Sequence, residues 1–376
     1  MPLAESDRRP ATLRMMTERT FNFGAGPAVL PEPVLEQVRE NLMALPGHGM
    51  SVLEISHRSA AFDEILAAAE TNIRALAGVP DDYHVLFLQG GATLQFSMVP
   101  MNLLPPGGTA DYVVTGSWAA QAAKEAEKFG AVRVAASTEH EGFRRVPAPA
   151  GIDLSPRASY VHVTSNNTIA GTQWPIMPDT GELPLVVDAS SDILSRPIDV
   201  LRHGVIYAGA QKNLGPAGVT AVIIRRDLAE RGPASLPKLM RYATHARGGS
   251  RANTPPVFAV YVVSLVTAWL RDQGGLEAAA ARNAHKAAAL YAAIDRSGFY
   301  RGVADPDSRS LMNVTFRLAS PALEAKFVEE AAAEGLAGLK GHRSVGGLRA
   351  SIYNACPPAA VDALVAFMAE FERVHG

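Results

Sequence analysis

Between residues 85 and 224 the chain alternates short apolar runs with helix-patterned stretches, and this restricts the fold more than any other feature. β-Branched and aromatic runs fall at 85–89, 112–115, 132–136, 160–164, 185–188, 205–210 and 219–224, and the spacing predicts helices over 92–104 and 119–129. Short runs that are apolar on both faces suit strands covered on both sides, and strands alternating with helices imply a mostly parallel sheet. Pro31 can open a helix to about residue 45, and a further long helix is expected through Trp269. An Ala-rich helix over 276–295 leads to a strand at 313–317, a helix at 321–334, a strand at 349–353 and a closing helix at 358–374. With 376 residues the chain is long enough for one large domain and a smaller one.

Composition excludes several classes. A hydrophobic fraction of 48% with 19% charged residues describes a soluble globular protein, and a net charge of -2 gives no global basic field to draw in nucleic acid. Any anion must be held by local arginines. No stretch has the length and apolar purity of a membrane span. The single cysteine, Cys356, rules out an internal disulfide, offers no multi-cysteine metal site and suits a reducing cytoplasm. Residues 1–20, with Arg8-Arg9-Pro10 and no apolar core of signal-peptide length, read as a mobile polar tail.

Two strand ends carry candidate chemistry. The run 205–210 stops at Gln211-Lys212, and a lysine held between apolar walls loses hydration, so its amine becomes available to carbonyls. A strand-end lysine can equally snorkel to solvent. The run 185–188 ends on Asp188 followed by Ala189-Ser190-Ser191, and such an acid can also serve as a helix cap or turn residue. In a parallel sheet, however, the carboxyl ends of neighbouring strands converge on one crevice. A lysine and an acid there meet the needs of pyridoxal phosphate: an amine for a Schiff base and a carboxylate to keep the pyridine nitrogen protonated. The turn Gln89-Gly90-Gly91-Ala92-Thr93 gathers backbone N–H groups at a helix start and forms an anion cup.

The stretches 188–197 (DASSDILSRP), 207–213 (YAGAQKN), 253–256 (NTPP) and 341–355 (GHRSVGGLRASIYNA) resemble the phosphoserine aminotransferases, a family of class V, fold-type I pyridoxal-phosphate enzymes. The resemblance extends from about Phe21 to the C-terminus. It implies a large cofactor-binding domain over 32–275 with a mostly parallel seven-stranded sheet, and a smaller α+β domain formed by 21–31 and 276–376. It also implies a homodimer with active sites at the interface, no metal, and no nucleic-acid or membrane partner.

The resemblance assigns roles that residue chemistry alone leaves open. Lys212 and Asp188 are the implied catalytic pair, and Ala92, Thr93, Trp118, Thr168, Gln211, Asn253 and Thr254 the other implied cofactor contacts. Some relatives carry Gly-Arg at the Ala92-Thr93 positions, so here neutral hydrogen bonds would replace an arginine. Trp118 is either core or the ring-stacking aromatic, and Asn253 and Thr254 are either helix caps or phosphate contacts reaching the other subunit. Arg349 is implied to take the substrate α-carboxylate. His342 and Arg343, with His57 and Arg58 from the partner chain, are implied to take the phosphate or the distal carboxylate of glutamate; otherwise these arginines are solvated surface charges. Ala25 stands where some relatives have serine, in a substrate-side loop. The implied reaction is transamination between glutamate and 3-phosphohydroxypyruvate, with 4-phosphohydroxy-L-threonine of pyridoxine biosynthesis as a further substrate in some bacteria. The rivals are another class V aminotransferase, which should lack the His-Arg pairs, a cysteine desulfurase, for which Cys356 lacks a mobile loop, and a non-catalytic cofactor-binding or assembly protein.

Overall fold

The computed structural model of the protein describes residues 19–376, so residues 1–18 of the expected tail lie outside the described residues. A two-residue strand β1 (Phe21–Asn22) is followed by helices α1 (Glu32–Asn41) and α2 (Ala60–Ala77). The alternating region then runs β2 (Tyr83–Leu88), α3 (Gly91–Leu103), β3 (Thr109–Val114), α4 (Ser117–Ala126), β4 (Ala131–Ser137), β5 (Val161–Thr164), β6 (Leu185–Asp188), β7 (Val205–Gly209) and β8 (Thr220–Arg225). Long helices α5 (Val257–Asp272) and α6 (Gly275–Asp295) lead to β9 (Arg301–Gly302), β10 (Asn313–Arg317), α7 (Pro321–Ala333), β11 (Leu336–Ala337), β12 (Leu348–Ser351) and α8 (Pro358–His375).

Seven of these strands form one sheet in the order β2-β8-β7-β6-β5-β3-β4. All its pairings are parallel except those of β8, which runs antiparallel to both β2 and β7. Side chains alternate between two cores, as the two-residue period of a strand requires. Val85, Phe87, Ile206 and Ala208 face one core, while Leu86, Leu88, Val205 and Tyr207 face the other. Helices α2 and α5 cover the first face, and α3 and α4 the second.

Helix α2 was not among the sequence expectations. Its apolar residues Phe62, Ile65, Ala69 and Ile73 recur at helical spacing and are buried, and the Ser59 hydroxyl accepts from the Phe62 N–H at its start. Burying Phe62, Ile65 and Ile73 contributes about 1.5–3 kcal/mol each.

The C-terminal elements build a separate core around an antiparallel sheet β9-β10-β12. Phe327 packs edge-on against Phe371 there, with ring centroids 5.0 Å apart. Strand β1 pairs in parallel with β11, so the segment before α1 belongs with these C-terminal elements. A buried polar seam joins them to the large sheet. The Asn166 Nδ2 donates to Asn313 at 2.7 Å, Asn313 Nδ2 donates to the Tyr353 hydroxyl at 3.0 Å, and that hydroxyl donates to the Ala25 carbonyl at 2.7 Å. Among the described residues no helix is long and apolar enough to cross a membrane.

Candidate active site

The parallel strands all end at one edge of the sheet, and the turns leaving that edge carry the polar residues of the site. After β7, the small residues Gly209 and Ala210 let the chain fold back tightly, with the N–H groups of Leu214 and Gly215 donating to the Ala210 carbonyl at 3.1 and 2.9 Å. This turn projects Lys212 into a cavity of about 280 Å³. Gly26, with φ of +145°, lies against the lysine stem: a Cβ there would sit 3.4 Å from Lys212 Cγ, in a backbone conformation that side chains disfavour.

The Lys212 amine donates to the Thr168 hydroxyl at 2.7 Å. Burial pushes its pKa down to about 8, with Asp188 pulling up, Arg349 pulling down and Asp192 pulling up. Asp188 ends the adjacent strand β6, where its Oδ1 accepts from the Ser190 N–H at 3.0 Å. Burial raises the Asp188 pKa, while Ser190 and Lys212 oppose that rise and Asp192 adds to it. Ser190 is itself held, its hydroxyl accepting from the Gly209 N–H at 3.1 Å, which ties the acid's turn to the strand that carries the lysine.

Helix α3 begins beside this pair. Its cap, Gly90, has φ of +90° and offers no side-chain acceptor, so the first-turn amides lack a local side-chain partner. A Cβ at Gly90 would meet Leu94 at 2.4 Å. Trp118 lies in the first turn of α4 rather than at the end of β3, because that helix starts at Ser117, earlier than the sequence pattern implied. It nevertheless lines the cavity.

Of the residues singled out in the sequence, Ala92, Thr93, Trp118, Thr168, Asp188, Gln211, Lys212, His342 and Arg349 line this cavity. Arg349 donates to the Thr168 carbonyl at 3.1 Å, and burial lowers its pKa. His342 is half-buried, its pKa lowered by burial and then by Arg349 and Arg343. His57, Arg58, Asn253, Thr254 and Arg343 do not line the cavity within one chain. Arg58 and Arg343 are exposed, and Asn253 donates to the Gln89 side chain at 3.1 Å. Phe96, Asn166, Ser190 and Ser191 also line the cavity and had not been singled out. The serines directly follow Asp188, whereas Phe96 and Asn166 carried no local signal.

The donor set suits pyridoxal phosphate: an amine of lowered pKa, an acid on the neighbouring strand, a flat indole, and helix amides without a side-chain cap for a phosphate. Residues 20–364 match the family model described as Aminotransferase class-V. The chain belongs to this family of aminotransferases and depends on pyridoxal phosphate. It is 56% identical over 363 residues to the phosphoserine aminotransferase of Desulfatibacillum aliphaticivorans, covering 96% of this chain and all of that one (100%). Its structure is similar to that of phosphoserine aminotransferase from Bacillus circulans subsp. alkalophilus, with a TM-score of 0.94 and 52% identity over 96% of this chain and 100% of the other. The pyridoxal-phosphate-bound phosphoserine aminotransferase of Trichomonas vaginalis matches with a TM-score of 0.89 and 38% identity, over 93% and 100% of the two chains.

Proposed function

We propose that this chain transfers the amino group of glutamate to 3-phosphohydroxypyruvate, giving O-phospho-L-serine and 2-oxoglutarate for serine biosynthesis. The observation that carries this reading is one cavity lined by the Lys212 amine, the Asp188 carboxyl, the His342 imidazole and the Arg349 guanidinium. High identity to phosphoserine aminotransferases over nearly the whole chain supports it.

Lys212 would hold pyridoxal phosphate through its Nζ, Asp188 would face the ring nitrogen, Trp118 the ring face and Thr168 the ring oxygen. The amides at Ala92 and Thr93, the Thr93 hydroxyl and Gln211 would hold the phosphate, together with Asn253 and Thr254 of the partner subunit. When bound, pyridoxal phosphate supplies an electron sink for the carbanion left at the substrate Cα. Lys212 Nζ, freed by the incoming amine, removes and returns the proton there, a task suited to an amine whose pKa lies near working pH.

Arg349 takes the α-carboxylate through its planar fork of donors. His342 and Arg343, with His57 and Arg58 of the partner subunit, take the phosphate or the distal carboxylate of glutamate. One cationic pocket then serves both substrates in turn. This reading includes a homodimer, a cytoplasmic location, a large unit over 32–275 and a smaller one from 21–31 with 276–376. The same pocket would admit 4-phosphohydroxy-L-threonine, to be tested as an alternative amino donor.

The deciding experiment follows the near-visible absorbance of the loaded protein. Glutamate alone should abolish it, and 3-phosphohydroxypyruvate should restore it. An absorbance that returns with pyruvate but not with the phosphorylated acid would refute the substrate assignment.

A further inference from the structure

Beside the cavity that holds Lys212 lies a larger one of about 540 Å³, and the two share Ile169, His342 and Arg349 in their walls. The charged lining of this second cavity is Arg144, Arg301, Arg317 and Arg349; His342 also lines it, and no aspartate or glutamate does. The chain has 37 acidic and 35 basic residues, so a wall of one sign is not a reflection of bulk composition.

Two of these arginines are set against each other by the sheet itself. Strands β9 and β10 pair antiparallel with Arg301 in register with Arg317, and residues so paired project from the same face. Like charges directly opposite are destabilising. Arg317 is partly compensated: it donates to the Val345 carbonyl at 2.9 Å and lies 3.5 Å from Glu324. Arg144 pairs with Asp305 at 2.9 Å. Arg301 is exposed, and its side chain makes no hydrogen bond or ion pair among the described residues.

We infer that this second cavity is an anion-capturing vestibule, in which Arg301 and Arg317 take the phosphate of the incoming 2-oxo acid before it passes to the shared wall at His342 and Arg349. The inference rests on the phosphorylated substrate proposed above. A cleft of one sign with low-dielectric walls focuses the field and raises the local concentration of the opposite charge. A phosphate dianion gains about twice the attraction of a single carboxylate at the same distance, so the vestibule favours the phosphorylated acid over glutamate.

The test uses the loaded enzyme and measures kcat and kcat/KM for 3-phosphohydroxypyruvate, and the second-order rate with glutamate, for wild type, R301Q, R301E and R301K. At low salt R301Q should lower kcat/KM for the phosphorylated acid ~3- to 10-fold with kcat unmoved, and glutamate should be affected less. R301E should show a larger loss, and R301K should restore the wild-type value. At ~0.5 M salt, where screening acts over a few ångströms, the difference should close to under ~2-fold. An R301E enzyme equal to wild type at low salt, or a loss that ignores both salt and substrate charge, overturns the vestibule. A wild-type enzyme that does not use 3-phosphohydroxypyruvate removes the substrate assignment first, and the vestibule with it.

Discussion

Lys212 and Lys286 are both desolvated amines, and burial pushes both down to about 8, yet the two regions use them in opposite ways. Lys286, in α6, spends every N–H on the turn after β12, donating to the carbonyls of Ile352, Tyr353 and Cys356 at 2.8, 2.7 and 3.0 Å. Three acceptors hold the proton in place and favour the charged form. Lys212 has one side-chain partner, Thr168, and faces a cavity. A lowered pKa therefore reports desolvation in both; what sets apart Lys212, the amine proposed to react, is unspent hydrogen-bonding capacity beside open space.

The two regions are also mechanically linked. The turn secured by Lys286 includes Asn354, whose N–H donates to Asn213 Oδ1 at 3.0 Å, next to Lys212. Asn354 Nδ2 further donates to the Leu194 carbonyl at 2.8 Å. Lys286 thus braces the loop that carries Lys212.

The sharpest way to break this contrast is to remove each amine in turn. Lys212→Ala should lower transamination by more than ~10⁴-fold and abolish the near-visible absorbance while leaving the far-UV circular dichroism intact. A variant with normal turnover would make the two lysines equivalent. Lys286→Ala strands three buried carbonyls and should reduce stability by about 3 kcal/mol in urea unfolding, while the absorbance survives at saturating pyridoxal phosphate. Loss of absorbance with unchanged stability would reverse the assignment.

The smallest expected effect is a pH dependence. Only the neutral amine attacks the aldehyde, and for a pKa of about 8 its fraction rises as pH rises through that value. Capture of pyridoxal phosphate by the stripped protein should therefore increase ~10-fold from pH 7 to its plateau near pH 9. Stopped-flow absorbance provides the measurement. A rate still climbing towards pH 10.5 would mean an ordinary, hydrated lysine.

Much of this was legible in the sequence because the signals are local. The run 185–188 coincides with β6, and 313–317 with β10, since a few consecutive apolar or β-branched residues suffice to mark a strand. Helix α2 carries a local signal of its own: the Ser59 cap and the 62-65-69-73 spacing are both in the sequence. Asn166 was beyond reach, because its importance comes from contacts with Ser191 and Asn313, the latter 147 positions away. His57, Arg58, Asn253, Thr254 and Arg343 do not line the cavity of a single chain, so the roles proposed for them have no geometric support within one chain.

By itself the sequence determined the strands of the large sheet, most of the long helices, the α/β class, and the presence of an amine and an acid at strand ends, because these follow from side-chain periodicity within a few residues. Tertiary structure alone decided that β8 inserts antiparallel between β2 and β7, and that β6 and β7 pair in parallel so that Asp188 and the turn bearing Lys212 leave the same edge of the sheet. It alone set Arg301 opposite Arg317 and left Lys212 with one side-chain partner while Lys286 has three carbonyl acceptors. Strand order, register and hydrogen-bond saturation depend on groups far apart in the chain, and no local pattern encodes them.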